Sequence, residues 1–138
     1  MVTISFSVEG TPAPQGSKSP TRYGFRESSK RVKPWREAVS RAAMAAGDAA
    51  GLFDALNPPY RVDVWFYILR PATTKAAFPV APTVGDSDKL LRSTFDALKS
   101  GGLIVDDRFI VAGSFSKRWA GVGETPGAVI RISEVGSD

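Results

Sequence analysis

Two carboxylate pairs, Asp86-Ser87-Asp88 and Asp106-Asp107, are the residues in this chain best suited to chemistry. Four carboxylates brought to one place would repel one another and raise their pKa values unless a cation lay among them. Oxygen donors alone select Mg2+ or Mn2+ over zinc. Little other chemistry is open, because the 138 residues include no Cys and no His. That removes thiolate nucleophiles, zinc–thiolate centres, iron–sulfur clusters and every imidazole base, ligand or triad. Catalysis must rest on carboxylates, Lys, Arg, Tyr, Ser or a hard metal ion. Each pair also has a plain structural reading: Asp86 or Asp88 as a helix N-cap, and Asp106-Asp107 as turn residues. A cap needs only one Asp, so Asp-x-Asp before a helix with Asp-Asp beyond it asks for more.

Charge bears on the substrate. The net charge is +4, and residues 18–41 hold Lys18, Arg22, Arg26, Lys30, Arg31, Lys33, Arg36 and Arg41 against only Glu27 and Glu37. A cationic segment on a near-neutral body is the footprint of a polyanion, nucleic acid being the commonest, though a solvated basic surface would look alike. Acidic metal ligands beside such a segment suit a phosphodiester. Cations would hold the flanking phosphates while a metal polarises the scissile one and acidifies the attacking water.

The elements that must position these groups can be read from periodicity. Val2, Ile4, Phe6 and Val8 alternate with polar residues and predict an opening strand. Gly10–Gly24, with Pro12, Pro14, Gly16 and Pro20, reads as an irregular basic loop. Pro34 is a good first helical residue, and Trp35, Val39, Ala42, Ala43 and Ala46 recur at helical spacing until Gly47 or Gly51. Arg61–Leu69 predicts a central strand covered on both faces, closed by Pro71, and residues 71–85 form a long connection of the kind that is often functional. Leu91, Phe95 and Leu98 place a helix over Asp88–Ser100, stopped by Gly101-Gly102. Leu103–Val105 is expected as a short strand returning the chain along that helix, so that the two acidic pairs can meet. Phe109–Lys117 and Ala128–Val135 predict two more strands. Together these give one α+β domain, a mixed sheet flanked by two main helices. No apolar stretch nears the ~20 residues of a membrane helix, and the opening residues do not form a signal peptide, so a soluble, cytoplasmic protein without membrane contact is expected.

The stretch GDSDKLLRSTFDALKSGGLIVDDRFIVAGSFSK resembles the core of the RusA family of crossover-junction endodeoxyribonucleases. That family's pattern is an Asp-x-Asp-Asn-Leu-x-Lys run, a Leu/Phe-Asp-Ala-Leu helix, a glycine turn, Asp-Asp, and a strand ending in Lys. Asp86, Asp88, Leu90, Phe95-Asp96-Ala97-Leu98, Asp106-Asp107 and Lys117 meet it, the close match covering residues 85–117. The resemblance implies one nuclease domain over residues 1–138, with a basic Pro-rich loop at 10–33 and an acidic metal site at 86–107. It places the metal-binding acids on Asp86, Asp88 and Asp107, with Asp106 as a supporting neighbour and Mg2+ or Mn2+ as the ion. It further implies a homodimer that cuts four-way DNA junctions symmetrically, of phage or prophage origin, acting with the nucleoid of a bacterial host cell.

Two positions depart from the pattern: Lys89 stands where the family has Asn, and Arg92 where it has Lys. Arg keeps the charge and clamps phosphate in two-point fashion but is a poor proton carrier, so Arg92 reads as a transition-state clamp among the catalytic residues. Lys89 can take over its other work. Lys18, Arg22, Arg26, Lys30, Arg31, Lys33, Lys89 and Lys117 are the expected DNA-binding set. Trp35 and Trp65 read as core; Phe25 and Phe78, among loop residues, are candidate wedges for opening a junction; Asp96 is expected to pair with Arg92 or to orient a ligand. A different class of function, a non-catalytic branched-DNA-binding protein, would follow if Lys89 and Arg92 had ended turnover. Labelled branched DNA with and without Mg2+ separates the two.

Overall fold

The structure, a computed structural model, describes residues 1–16, 18–21, 24–27 and 30–136, with side chains for 1–16 and 30–136. Strand β1 (Thr3–Glu9) follows the expected alternation, burying Ile4 and Val8. Helix α1 (Val32–Ala49) begins two residues before Pro34, which therefore occupies the first turn, where a missing N–H costs nothing, and it runs through Gly47 without a break. Strand β4 (Tyr60–Ile68) is central; α2 (Ser87–Ser100), β5 (Ile110–Trp119) and β6 (Gly127–Glu134) follow. The sheet order is β1-β6-β4-β5, antiparallel except for the parallel β4–β5 pair. A parallel pair requires a crossover, and α2 supplies it.

Both helices lie together on one face of the sheet. Val62, Val64, Phe66 and Ile68 of β4 point to them, as do Ile130 and Ile132 of β6. Trp35 is buried between the helices, and its Nε1 donates to Thr94 Oγ1 at 3.2 Å. The helices come close because Gly101 has no side chain: a Cβ there would stand 2.7 Å from the Ser40 carbonyl oxygen and 2.8 Å from Ala43 Cβ.

Three expectations are corrected. The Pro-rich loop contains a ribbon, β2 (Lys18–Thr21) paired antiparallel with β3 (Gly24–Glu27). Pro20 fits because a two-stranded ribbon is all edge. Leu103–Val105 is not a strand. Leu103 and Ile104 are buried, the Leu103 carbonyl accepts from Leu56 N–H, and Val105 N–H donates to the Tyr60 hydroxyl, so these backbone groups are satisfied without a ladder. Finally, β4 is covered by helices on one face only. On the other face Arg131 lies over Trp65, only half-buried, and Arg118 over Tyr67, with ring-centroid distances of 5.4 and 4.7 Å.

That open face holds a buried acid. Asp63 accepts from Ser114 Oγ at 2.7 Å, Arg61 Nη2 at 2.9 Å and Arg131 Nη2 at 3.1 Å. Burial alone would raise its pKa, but the hydrogen bonds from Ser114, Arg61 and Arg131 outweigh it and hold the carboxyl below its usual range. A depressed folded pKa means that its contribution is complete above the unfolded value near pH 4 and is lost as pH falls through the folded value. Asp63→Asn should therefore cost about 1–3 kcal/mol at neutral pH, and the gap to the parent should narrow on acidification. Urea unfolding at pH 7 and pH 3 reads this directly; an equal gap at both pH values would refute it.

Candidate active site

The start of α2 is built by the loop after β1. Gly85 takes φ +97, with Pro14 so near that a Cβ would sit 2.4 Å from its Cγ. Only glycine fits there, being free of both the left-handed strain and the clash. Gln15 N–H donates to the Lys89 carbonyl at 2.9 Å, and Ser93 Oγ to the Ala13 carbonyl at 2.7 Å. The base of the basic segment is thus pinned to the acidic end of the helix.

Asp86 occupies the N-cap position (φ −70, ψ 141), yet its side chain makes no capping hydrogen bond. Asp88 lies in the first turn. Both are exposed, and among the described residues neither carboxylate is taken up by a hydrogen bond or ion pair. Asp86 lines a groove of about 500 Å³ with Pro14, Gln15, Lys30, Arg31 and Lys89. Arg31 Nη2 donates to the Thr83 carbonyl at 2.7 Å, which fixes the guanidinium on the groove wall. Three of the expected DNA-binding cations, Lys30, Arg31 and Lys89, are thereby gathered round one of the expected metal-binding acids.

The other acids lie elsewhere. Asp106 caps a 3-10 turn over Asp107–Phe109, accepting from Arg108 N–H at 3.1 Å, and meets Lys99 Nζ at 3.3 Å. The Arg108 amide, then Asp107 and Lys99, bring its pKa down to about 2. Asp107 is shifted up by its hydrogen bond with Asp106, by burial, and by the negative charges of Asp106 and Asp96. Lys99 stands eleven positions beyond Asp88, about 16 Å along the helix axis. The acidic pairs therefore sit at opposite ends of α2, and no group of three acidic residues among the described residues could hold a metal ion. The expected convergence within one chain fails because residues 101–109 stay at the C-terminal end of α2 instead of running back as a strand.

Arg92 is exposed on α2, one turn from Asp88, and makes no ion pair with Asp96. Asp96 instead adds to the negative field at Asp107. Lys33 lines a separate groove with Arg36, Glu37 and Arg41. Lys117 is half-buried on β5, at the register position of Phe66. The side chains of Lys18, Arg22, Arg26 and Phe25 lie outside the described residues. Phe78 is 63% exposed, as a wedge requires, and Trp119 is held by an Nε1 hydrogen bond to the Ala76 carbonyl at 2.9 Å. Sequence reasoning missed Gln15, Thr83 and Gly85. Their only local signal is a Gly and a polar residue beside prolines, since what matters is a contact between segments some 70 residues apart.

A family model described as Endodeoxyribonuclease RusA matches residues 9–133. No curated protein matches the chain. Among the described residues no helix is long and apolar enough to cross a membrane.

Proposed function

We propose, from the premise that this chain belongs to the RusA family of endodeoxyribonucleases, that it resolves four-way DNA junctions by paired, Mg2+-dependent phosphodiester hydrolysis as a homodimer. One observation carries this reading: Asp86, its carboxylate unengaged among the described residues, lines a groove whose walls are cationic, and Asp88 follows it in the first turn of α2. Lys30, Arg31 and Lys89 would bind the backbone phosphates on either side of the scissile bond, and Arg92 would clamp the charge that develops on it. A divalent ion held by the carboxylates would neutralise the phosphate and acidify the attacking water.

Among the described residues a single chain lacks a third acid at that end of α2, and the free edge of the sheet supplies a route to one. The ten-residue strand β5 is exposed along most of its length, with Val111 62% and Phe115 50% exposed, and Leu91 and Phe95 of α2 flank it. A long apolar edge invites pairing. Asp107 precedes β5, whereas Trp119 at the strand's other end shares a cavity with Val84, two residues from Asp86. Antiparallel pairing of two β5 strands about a two-fold axis would lay the Asp107 end of one against the Asp86 end of the other, making two composite sites. Such a dimer matches the symmetry of a four-way junction and supplies two cuts.

The test uses an end-labelled four-way junction with and without Mg2+. Paired symmetric nicks that need the ion are expected; tight binding without cleavage would leave a branched-DNA-binding protein. Mixing inactive Asp88→Asn with inactive Asp107→Asn should restore single nicks, since one composite site in each mixed dimer is intact. A mixture that stays inert, with subunit exchange shown by light scattering and mass, would place all the acids in one chain or the dimer elsewhere. The triple variant Lys18→Ala, Arg22→Ala, Lys30→Ala should bind more weakly, and its log–log salt slope should be shallower by roughly 0.9 for each phosphate no longer neutralised. Arg31 is left intact there because it also ties down the 71–86 connection. An unchanged slope would move the DNA surface away from the basic segment.

A further inference from the structure

Beside the cationic groove lies a second cavity of about 430 Å³, of different character. Its lining includes Pro12, Leu69, Val84 and Trp119 together with several threonines, the exposed Thr73 and the half-buried Thr74 among them. Arg31 and Thr83 line both cavities, so the hydrogen bond between them is the partition. Among the described residues Arg31 is the only charged one lining the second cavity, and it stands on the side shared with the groove. A ligand carrying its own charge deep into this space would find no counterion there. A flat, uncharged, partly polar ring joined to a phosphate outside would meet a match at each point: apolar walls, an indole edge, hydroxyls, and a cation at the phosphate.

We propose that this cavity receives one unstacked nucleobase of the strand whose phosphate lies in the adjoining groove, and so determines which nucleotide is preferred beside the cut. This rests on the nuclease reading given above. Val84 lies two residues before Asp86, at most about 7 Å along the chain, so the occupant would be a near neighbour of the reacting phosphate. The size falls within the range of small-ligand sites. Enzymes that take a base out of the stack read it between aromatic and apolar walls in this way, and unstacking is easiest where pairing is already broken, as at a branch point. The hydrogen bond from Trp119 Nε1 to the Ala76 carbonyl keeps the indole from swinging freely.

The experiment places 2-aminopurine, one position at a time, around the branch point of a junction and reads its fluorescence on binding wild-type protein in Ca2+. One position should brighten several-fold. At that position the ratio of cleavage rates between the best and worst of the four natural bases should be about tenfold, and in Thr73→Trp, which fills the cavity from its rim, it should fall towards one. The ratio is internal to each protein, so a general loss of activity in the variant cancels. If no position brightens while wild type binds and cuts the junction, or if Thr73→Trp keeps the full ratio, the cavity is not a base site. A protein that neither binds nor cuts any branched DNA overturns the nuclease reading and this assignment with it.

Discussion

Asp88→Asn is expected to lose junction cleavage by more than about a hundredfold while binding the junction as tightly as the parent, or slightly more so. Changes one step removed from a metal commonly cost 10–100-fold, so loss of a direct oxygen ligand should exceed that. Binding should survive because, in the proposed function, the cations hold the DNA, and a negative charge beside a phosphate opposes it. Asp86→Asn should behave alike, and there the interpretation is clean, since Asn is as good an N-cap as Asp and the helix start is preserved. Asp107→Asn belongs to the same group. Asp106 should differ, because its carboxylate is engaged with the Arg108 amide and Lys99; Asp106→Asn should loosen the turn that carries Asp107 and leave partial activity. Single-turnover cleavage alongside gel-shift affinity separates these outcomes, and a full-rate Asp88→Asn or Asp107→Asn enzyme would end the metal-site assignment.

The largest effect on stability is expected at Trp35. It is 1% exposed, its Nε1 donates to Thr94, and Gly10 closes over its ring with a would-be Cβ 3.5 Å away. Truncating a buried Trp to Ala typically costs about 3–5 kcal/mol, a large share of the 5–15 kcal/mol that holds most domains together. Trp35→Ala should therefore leave a protein that is partly unfolded at 37 °C and shows a sharply lower urea midpoint. Trp35→Phe should recover much of this while losing the hydrogen bond. A cost below about 1 kcal/mol for the alanine variant would mean that the interhelical layer is far looser than its burial indicates.

What could be read beforehand was mostly local. The alternation in β1, the helical spacing of Leu91, Phe95 and Leu98, and the β-branched run of β4 each place an element within two residues of its observed bounds. The β2–β3 ribbon escaped notice because Pro20 and the nearby glycines argue against strands, and a two-stranded ribbon tolerates them. The path of residues 103–105 was misread for a subtler reason. Their apolar side chains are buried as a strand's would be, and only Leu56 and Tyr60, more than forty residues earlier, decide whether the backbone joins a ladder. Convergence of the acids failed with that strand. Periodicity reports which face of an element is buried, not where a turn sends the chain. Asp86 and Asp88 stand out in the sequence as Asp-x-Asp before a helix, and in the structure Asp86 holds the N-cap position without a capping hydrogen bond from its side chain.

The placement of the two acidic pairs at opposite ends of α2 also makes that helix a gauge. Each residue added to or removed from it would shift one pair against the other by about 1.5 Å and turn it by about 100°. A one-residue change would swing Asp106-Asp107 off its present face, and only steps near a whole turn could keep the bearing, with a displacement of about 5 Å. The loop over 120–126 carries no such restriction, since it does not set the interval between the acids. Length variation should therefore be tolerated in that loop, while a one-residue insertion in α2 should cost cleavage if the two acidic pairs form the proposed composite sites.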